Sequence, residues 1–173
     1  MIKLEPQSRD YLMNFFDKLD KDFVPPLSKR NGGIDGIVDN VFSKNGTVLV
    51  DDLPINACIA YYPLGENHVH ISWQAVVKDK RCRMILPSLV AEAYKLIFEK
   101  SPDVFVTART WQGNDRSARI MEACGFKFVR EEYDKSLDRI SWKYEGNLND
   151  FNSSIFAKRY LKTSSILAAA SLS

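Results

Sequence analysis

NDRSARIMEACGF, residues 114–126, carries the punctuation of a short helix set between two strands. Asn114 stands where an N-cap belongs, because its side-chain oxygen can accept from an unpaired backbone N–H of the first turn. Gly125 is the natural stop, since the residue after a helix often turns left-handed and glycine does so without strain. Upstream, DVFVTART (103–110) is rich in β-branched and aromatic residues and reads as a strand. Downstream, FKFVREEY (126–133) and RISWKY (139–144) flank DKSLD and predict a closing hairpin. Further back, Leu86, Leu89, Val90, Ala93 and Ile97 fall on one side of a long helix, preceded by HVHISWQAVV (68–77), the longest strand candidate.

The N-terminal third follows the same logic. Ile2 and Leu4 alternate with polar neighbours as a first strand. Ser8 then precedes Leu12, Phe15, Phe16 and Leu19, the spacing of a helix with one apolar face, and is expected to cap it. FVPPL (23–27) breaks that helix, because each proline removes a donor and restricts its predecessor. Ile34, Ile37, Val38, Val41 and Phe42 define a second helix, ended by Asn45-Gly46. TVLV (47–50) and INACIAYY (55–62) form an antiparallel pair. The order β-α-α-β-β-β-α-β-α-β-β is α/β with a mixed (α+β) sheet rather than a strict βαβ repeat. One domain is expected over 1–146. Residues 147–173 form a C-terminal extension, with helix and disorder both open for it, and with docking, a homodimer contact or fraying as its readings.

Composition bounds the function. The 173 residues are 45% hydrophobic and 27% charged, enough for one real core. Lys+Arg less Asp+Glu is 24 − 22 = +2, which argues against a nucleic-acid binder relying on clustered positive charge. No apolar run reaches the roughly 18 residues of a membrane span, and MIKLEPQSRD lacks the pattern of a secretion signal. Cys58, Cys82 and Cys124 are scattered and odd in number, the usage of reduced thiols in a cytoplasmic protein. With His68 and His70 the only histidines and no C-x-x-C spacing, no metal site is expected.

Two segments together resemble the GNAT superfamily of acyl-coenzyme A N-acyltransferases. In VVKDKRCRMILPSL (76–89) a strand runs through a basic loop into a helix. In NDRSARIMEACGF, Asn114, Ser117, Glu122, Gly125 and Phe126 fall on the family's N-x-x-[S/A] … G-F pattern. The wording is similar to the branch that acetylates ribosomal-protein N-termini, which also holds small-molecule and antibiotic acetylases. The resemblance spans about residues 1–145. It implies the GNAT-like fold, with a V-shaped cleft between strands 68–77 and 103–110. Acetyl-coenzyme A would be the cofactor, leaving as coenzyme A, and the acceptor an amine on a small molecule or peptide.

Residue by residue, the resemblance assigns the pyrophosphate loop to Arg81, Cys82, Arg83, Met84, Ile85 and Leu86. Met84 and Leu86 fill both of the family's glycine positions, where a side chain obstructs close approach of backbone N–H groups to phosphate. Arg81 and Arg83, with Lys78 and Lys80, would then carry more of the anion binding. The read-out as a solvated basic turn with Met84 and Leu86 in the core stands beside it. Gln74 and Val76 would offer backbone groups to the pantetheine arm, and Asn114 its amide, unless Asn114 serves only as the helix cap. His70 falls on the base position, where an imidazole of ordinary pKa near 6.5 suits neutral pH. A solvated position for His68 and His70 is the competing reading. The two-residue strand period puts His68, His70, Ser72 and Gln74 on one polar face. Met121 stands where the family often has a tyrosine acid, leaving Ser117 as the nearest hydroxyl. These residues imply an acetyl-coenzyme A-dependent N-acetyltransferase working by direct attack. The alternatives are a degenerate GNAT-fold domain that binds coenzyme A or a partner without turnover, and transfer of another acyl or aminoacyl group.

Overall fold

A computed structural model of the chain describes residues 1–23, 25–80, 85–135 and 137–160. The strands are β1 (Ile2–Leu4), β2 (Thr47–Val50), β3 (Ala57–Gly65), β4 (His68–Val76), β5 (Phe105–Trp111), β6 (Lys127–Asp134) and β7 (Arg139–Gly146). They form one sheet in the order β1-β2-β3-β4-β5-β7-β6, with β4–β5 parallel and every other pair antiparallel. The helices are α1 (Arg9–Leu19), α2 (Gly33–Ser43), α3 (Ile85–Lys100), α4 (Asp115–Ala123), α5 (Leu148–Ser153) and α6 (Ile155–Tyr160).

The hydrophobic periods account for the layering. Leu12, Phe15, Phe16 and Leu19 of α1 and Val38 and Val41 of α2 are buried on one face of the sheet, against Val48, Val50, Cys58, Ala60 and Ala75. On the other face, Leu89, Val90, Ala93 and Ile97 of α3 pack with Ile59, Ile71, Val76, Val106 and Ala108. Past Gly146, Phe151 stacks on Tyr94 with ring centres 4.7 Å apart, and Phe156 and Ala157 join the same core. A reciprocal cap between Asn147 and Asp150 starts α5. The expected cap at Ser8 is not made. Ser8 closes a 3₁₀ turn begun at Pro6, and its backbone N–H bonds the Glu5 carbonyl at 2.9 Å while its hydroxyl caps nothing.

The pairing of β3 with β4 corrects the expected polar stripe. Ala60 opposes Trp73 and Tyr61 opposes Ile71, so Ser72 is an extra residue, a β-bulge. Before the bulge, Val69 and Ile71 face the α3 core; after it, Trp73 and Ala75 face the α1–α2 core. His68 and His70 therefore lie on the α1–α2 face, whereas Gln74 shares the α3 face with Val76. The bulge also sits where the central strands part. β4 and β5 pair only from His68–Phe105 to Ile71–Ala108, while β4 continues to Val76 and β5 to Trp111 without each other. A bulged strand bends and twists, which opens the sheet at this point.

Candidate active site in the cleft between the central strands

Two adjoining cavities, of about 430 and 230 Å³, occupy the place where β4 and β5 diverge. Gln74, Trp111, Asn114 and Ser117 line both. Val76 and Leu86 add apolar wall to the larger, and His70 and Met121 belong to the smaller. The structure thus brings together His70, Gln74 and Val76 of β4 with Leu86 of α3 and Asn114 and Ser117 at the start of α4. Ile85 is half-buried at the start of α3 and packs on the core rather than lining either cavity. Arg81, Cys82, Arg83 and Met84 lie outside the described residues.

Helix α4 reaches the cleft by its N-terminal end. Asn114 Oδ1 accepts from the Ser117 backbone N–H at 3.3 Å, a cap that leaves the Asn114 amide NH₂ for another partner. Ser117 is half-buried, one turn before the buried Met121. The first turn of α3 carries Pro87, tolerated there because N–H groups at a helix start have no intrahelical acceptor.

The histidines are joined by a residue the sequence reading did not single out. Thr107 of β5, 2% exposed, holds its Oγ1 2.8 Å from His68 Nε2 and 3.0 Å from His70 Nδ1. A hydroxyl has one proton, so it can donate to only one of the two imidazoles, and it accepts from a ring nitrogen that carries hydrogen. When His70 Nδ1–H is the donor, Thr107 donates to His68 Nε2 and the lone pair of His70 rests on Nε2. His68 is itself stacked on Phe105, with centres 4.3 Å apart. The pairing of His70 with Thr107 follows from the register of the parallel strands, which leaves no mark in either strand alone.

Burial pushes the His70 pKa down to about 4, helped by the positive charges of Arg109, His68, Lys44 and Lys143. The ordinary value near 6.5 expected from the sequence is thereby corrected: the imidazole is neutral throughout the neutral range. His68 is lowered as well, by burial and then Lys143, against an opposing pull from Glu145. Cys58 and Cys124 are buried, which raises both thiols, Cys124 to about 12, so neither is a thiolate at neutral pH. Among the described residues no group of three or more His, Cys, Asp or Glu is placed to hold a metal ion, and no helix is long and apolar enough to cross a membrane.

A mixed seven-stranded sheet parted beside its one parallel pair, with helices on both faces, is the fold of the GNAT acetyltransferases. The chain is similar to an acetyltransferase of the GNAT family from Staphylococcus aureus Mu50, over 85% of this chain and 97% of that one, with TM-score 0.66 and 17% identity. It is similar too to the ribosomal-protein-S5-alanine acetyltransferase of Vibrio fischeri, over 87% and 93%, with TM-score 0.66 and 15% identity. A third neighbour is a chain of the NatC complex bound to Gag peptide and CoA, over 85% and 98%, with TM-score 0.64 and 17% identity. No protein-family model and no curated protein sequence matches the chain.

Proposed function

We propose that this chain moves an acetyl group from acetyl-coenzyme A to a primary amine by direct attack, without an acyl-enzyme. The observation that carries this reading is the parting of β4 from β5, with a neutral imidazole and the capped start of α4 on the same cleft. The residues suit the cofactor. Gln74, Asn114 and Ser117 offer hydrogen-bonding groups along a cavity whose other walls include Val76, Leu86 and Ile120, the mixture an amide-containing aliphatic arm requires. Bound there, acetyl-coenzyme A supplies an acyl group already activated as a thioester.

The protein's own part is to place the amine and manage its proton. Neutral His70 accepts a hydrogen bond from the amine and takes its proton as the lone pair is shared with the acyl carbon. A nitrogen in that state is far more acidic than a free ammonium, so a base of low pKa suffices. Thr107 and His68 hold the His70 tautomer that leaves Nε2 free. The backbone N–H of Gln74 serves the developing negative charge on the acyl oxygen, and Gln74 and Val76 offer backbone groups to the pantetheine arm. Ser117 or solvent protonates the departing thiolate, and the segment Arg81, Cys82, Arg83 and Met84, with the first turn of α3 at Ile85 and Leu86, takes the phosphates. The second reading, cofactor or partner binding without turnover, is favoured by Met121, which presents a thioether in the smaller cavity where a proton donor would serve.

A thermal shift with acetyl-coenzyme A, followed by an assay of thiol release with a panel of amines, separates the two. Binding raises Tm in both readings; only turnover releases thiol. Asn114→Ala should lower stability by about 1 kcal/mol through the lost cap. It should also shrink the Tm increase given by acetyl-coenzyme A. An unchanged increase would leave Asn114 as a cap alone. No Tm shift at millimolar acetyl-coenzyme A with the wild type would remove the cofactor from both readings.

A further inference from the structure

The smaller cavity carries a positive charge that acetyl transfer does not use. Arg30, between α1 and α2, is half-buried against three aromatic rings. Its guanidinium carbon lies 5.3 Å from the ring centre of Phe23, 5.8 Å from Trp73 and 5.6 Å from Trp111. Nε donates to the Pro25 carbonyl at 3.3 Å, while Nη2 is buried and has no hydrogen-bond partner among the described residues. Arg139 lies over Trp111 as well, 5.0 Å from its centre. Burial, then the charge of Arg139, lowers the pKa of Arg30, with Asp134 and Asp20 pulling the other way. Asp20 is engaged elsewhere, accepting from Ser28 N at 2.7 Å and Ser28 Oγ at 2.9 Å.

A desolvated N–H without an acceptor is costly to keep, and Arg30, which carries one, is also among the residues lining the smaller cavity. Packing among three rings holds the guanidinium in place before any ligand binds. A planar carboxylate matches a guanidinium fork, and the charge of Arg30 favours an anion over a neutral amide. His70 lines this same cavity of about 230 Å³, which is small enough to seat both ends of one small molecule.

We propose that Arg30 binds a carboxylate carried by the acceptor, and that the acceptor is therefore an amino-acid-like molecule whose amine meets His70 while its carboxylate meets Arg30. This rests on the acetyl-transfer reading. Peptide acceptors with an acidic side chain near the amine present the same chemistry from a second source.

The test compares glycine, β-alanine and γ-aminobutyrate, each against its own amide, with Glu-Ala-amide against Gln-Ala-amide as the peptide pair. In the thiol-release assay at least one carboxylate should show a KM about 10-fold or more below that of its amide. The pair that shows it identifies the source and spacing of the carboxylate. Arg30→Gln should abolish that difference through KM, leave kcat within about threefold and leave the Tm shift with acetyl-coenzyme A intact. Arg30→Lys should restore part of the preference. Because Trp73 and Trp111 flank the guanidinium, tryptophan emission titrated with the same probes reports binding without turnover. A wild type that transfers no acetyl group yet responds to a carboxylate and not to its amide would overturn acetyl transfer and keep the carboxylate site. Equal KM values and equal emission responses within every pair would overturn the carboxylate site. So would Arg30→Gln removing the coenzyme A shift while sparing the preference.

Discussion

Replacing His70 with glutamine is expected to lower kcat by about 100-fold or more, the scale of a lost general base. Glutamine keeps a polar group within reach of Thr107 but cannot take up a proton at any working pH. The wild-type acid limb assigned to this imidazole should lie near pH 4, where burial has moved its pKa, and not near 6.5. In His70→Gln that limb should vanish, and imidazole titration by NMR should place the same value independently. An identical pH profile in the variant would transfer the proton to water and leave His70 a cleft wall. The same shift predicts a stability change. Between pH 6.5 and 4 the unfolded chain binds a proton at His70 that the folded chain refuses. Stability at this site is thus full above 6.5 and is lost as pH falls toward 4, by on the order of 3 kcal/mol. His70→Gln should flatten that part of the denaturation profile. Thr107→Val, which cannot bridge the histidines, should retain the fold and lose part of kcat by letting the imidazole tautomer drift.

Most element boundaries were legible because burial on one face imposes a period on the sequence. Leu12, Phe15, Phe16 and Leu19 occupy consecutive turns of one helix stripe, and all four are 2% exposed or less. The order of elements along the chain and the parting of β4 from β5 matched the fold implied by the 76–89 and 114–126 segments. What escaped depends on pairings between distant segments. A bulge at Ser72 is a property of how β4 sits on β3, so no count along β4 alone could show that Gln74 leaves the face of His70. Thr107 is one of three polar residues in β5, with Arg109 and Thr110, and only the parallel register sets it between two imidazoles. Arg30 sits in a loop of mixed charge, and its three aromatic neighbours come from a loop, a central strand and the end of another. Burial, which moves the His70 pKa, is likewise a sum over the surrounding elements and not a feature of the residue.

Gly125→Ala is expected to be the most destabilising single-methyl change at the junction of α4 and the C-terminal helices. Gly125 has φ +88°, a conformation that a side chain makes costly by about 1–3 kcal/mol. A Cβ built there would lie 2.2 Å from the Asp150 carbonyl oxygen and 2.7 Å from its carbon. Both are backbone atoms, so the clash is relieved only by moving α5. That displacement would draw Phe151 off Tyr94 and disturb the Lys127–Asp150 ion pair, an overpacking cost of about 1–3 kcal/mol. Together about 4 kcal/mol is expected, a fall in Tm on the order of 10 °C for a chain of this size. Gly113 supplies the control. Its φ is +86°, almost the same, but nothing lies within 4 Å of the Cβ it would gain. Gly113→Ala should therefore cost the conformational part alone, and the difference between the two variants in a denaturant titration measures how tightly α5 is held to the end of α4. Equal losses would mean that α5 moves aside freely, and that Phe151 contributes little to the core it occupies.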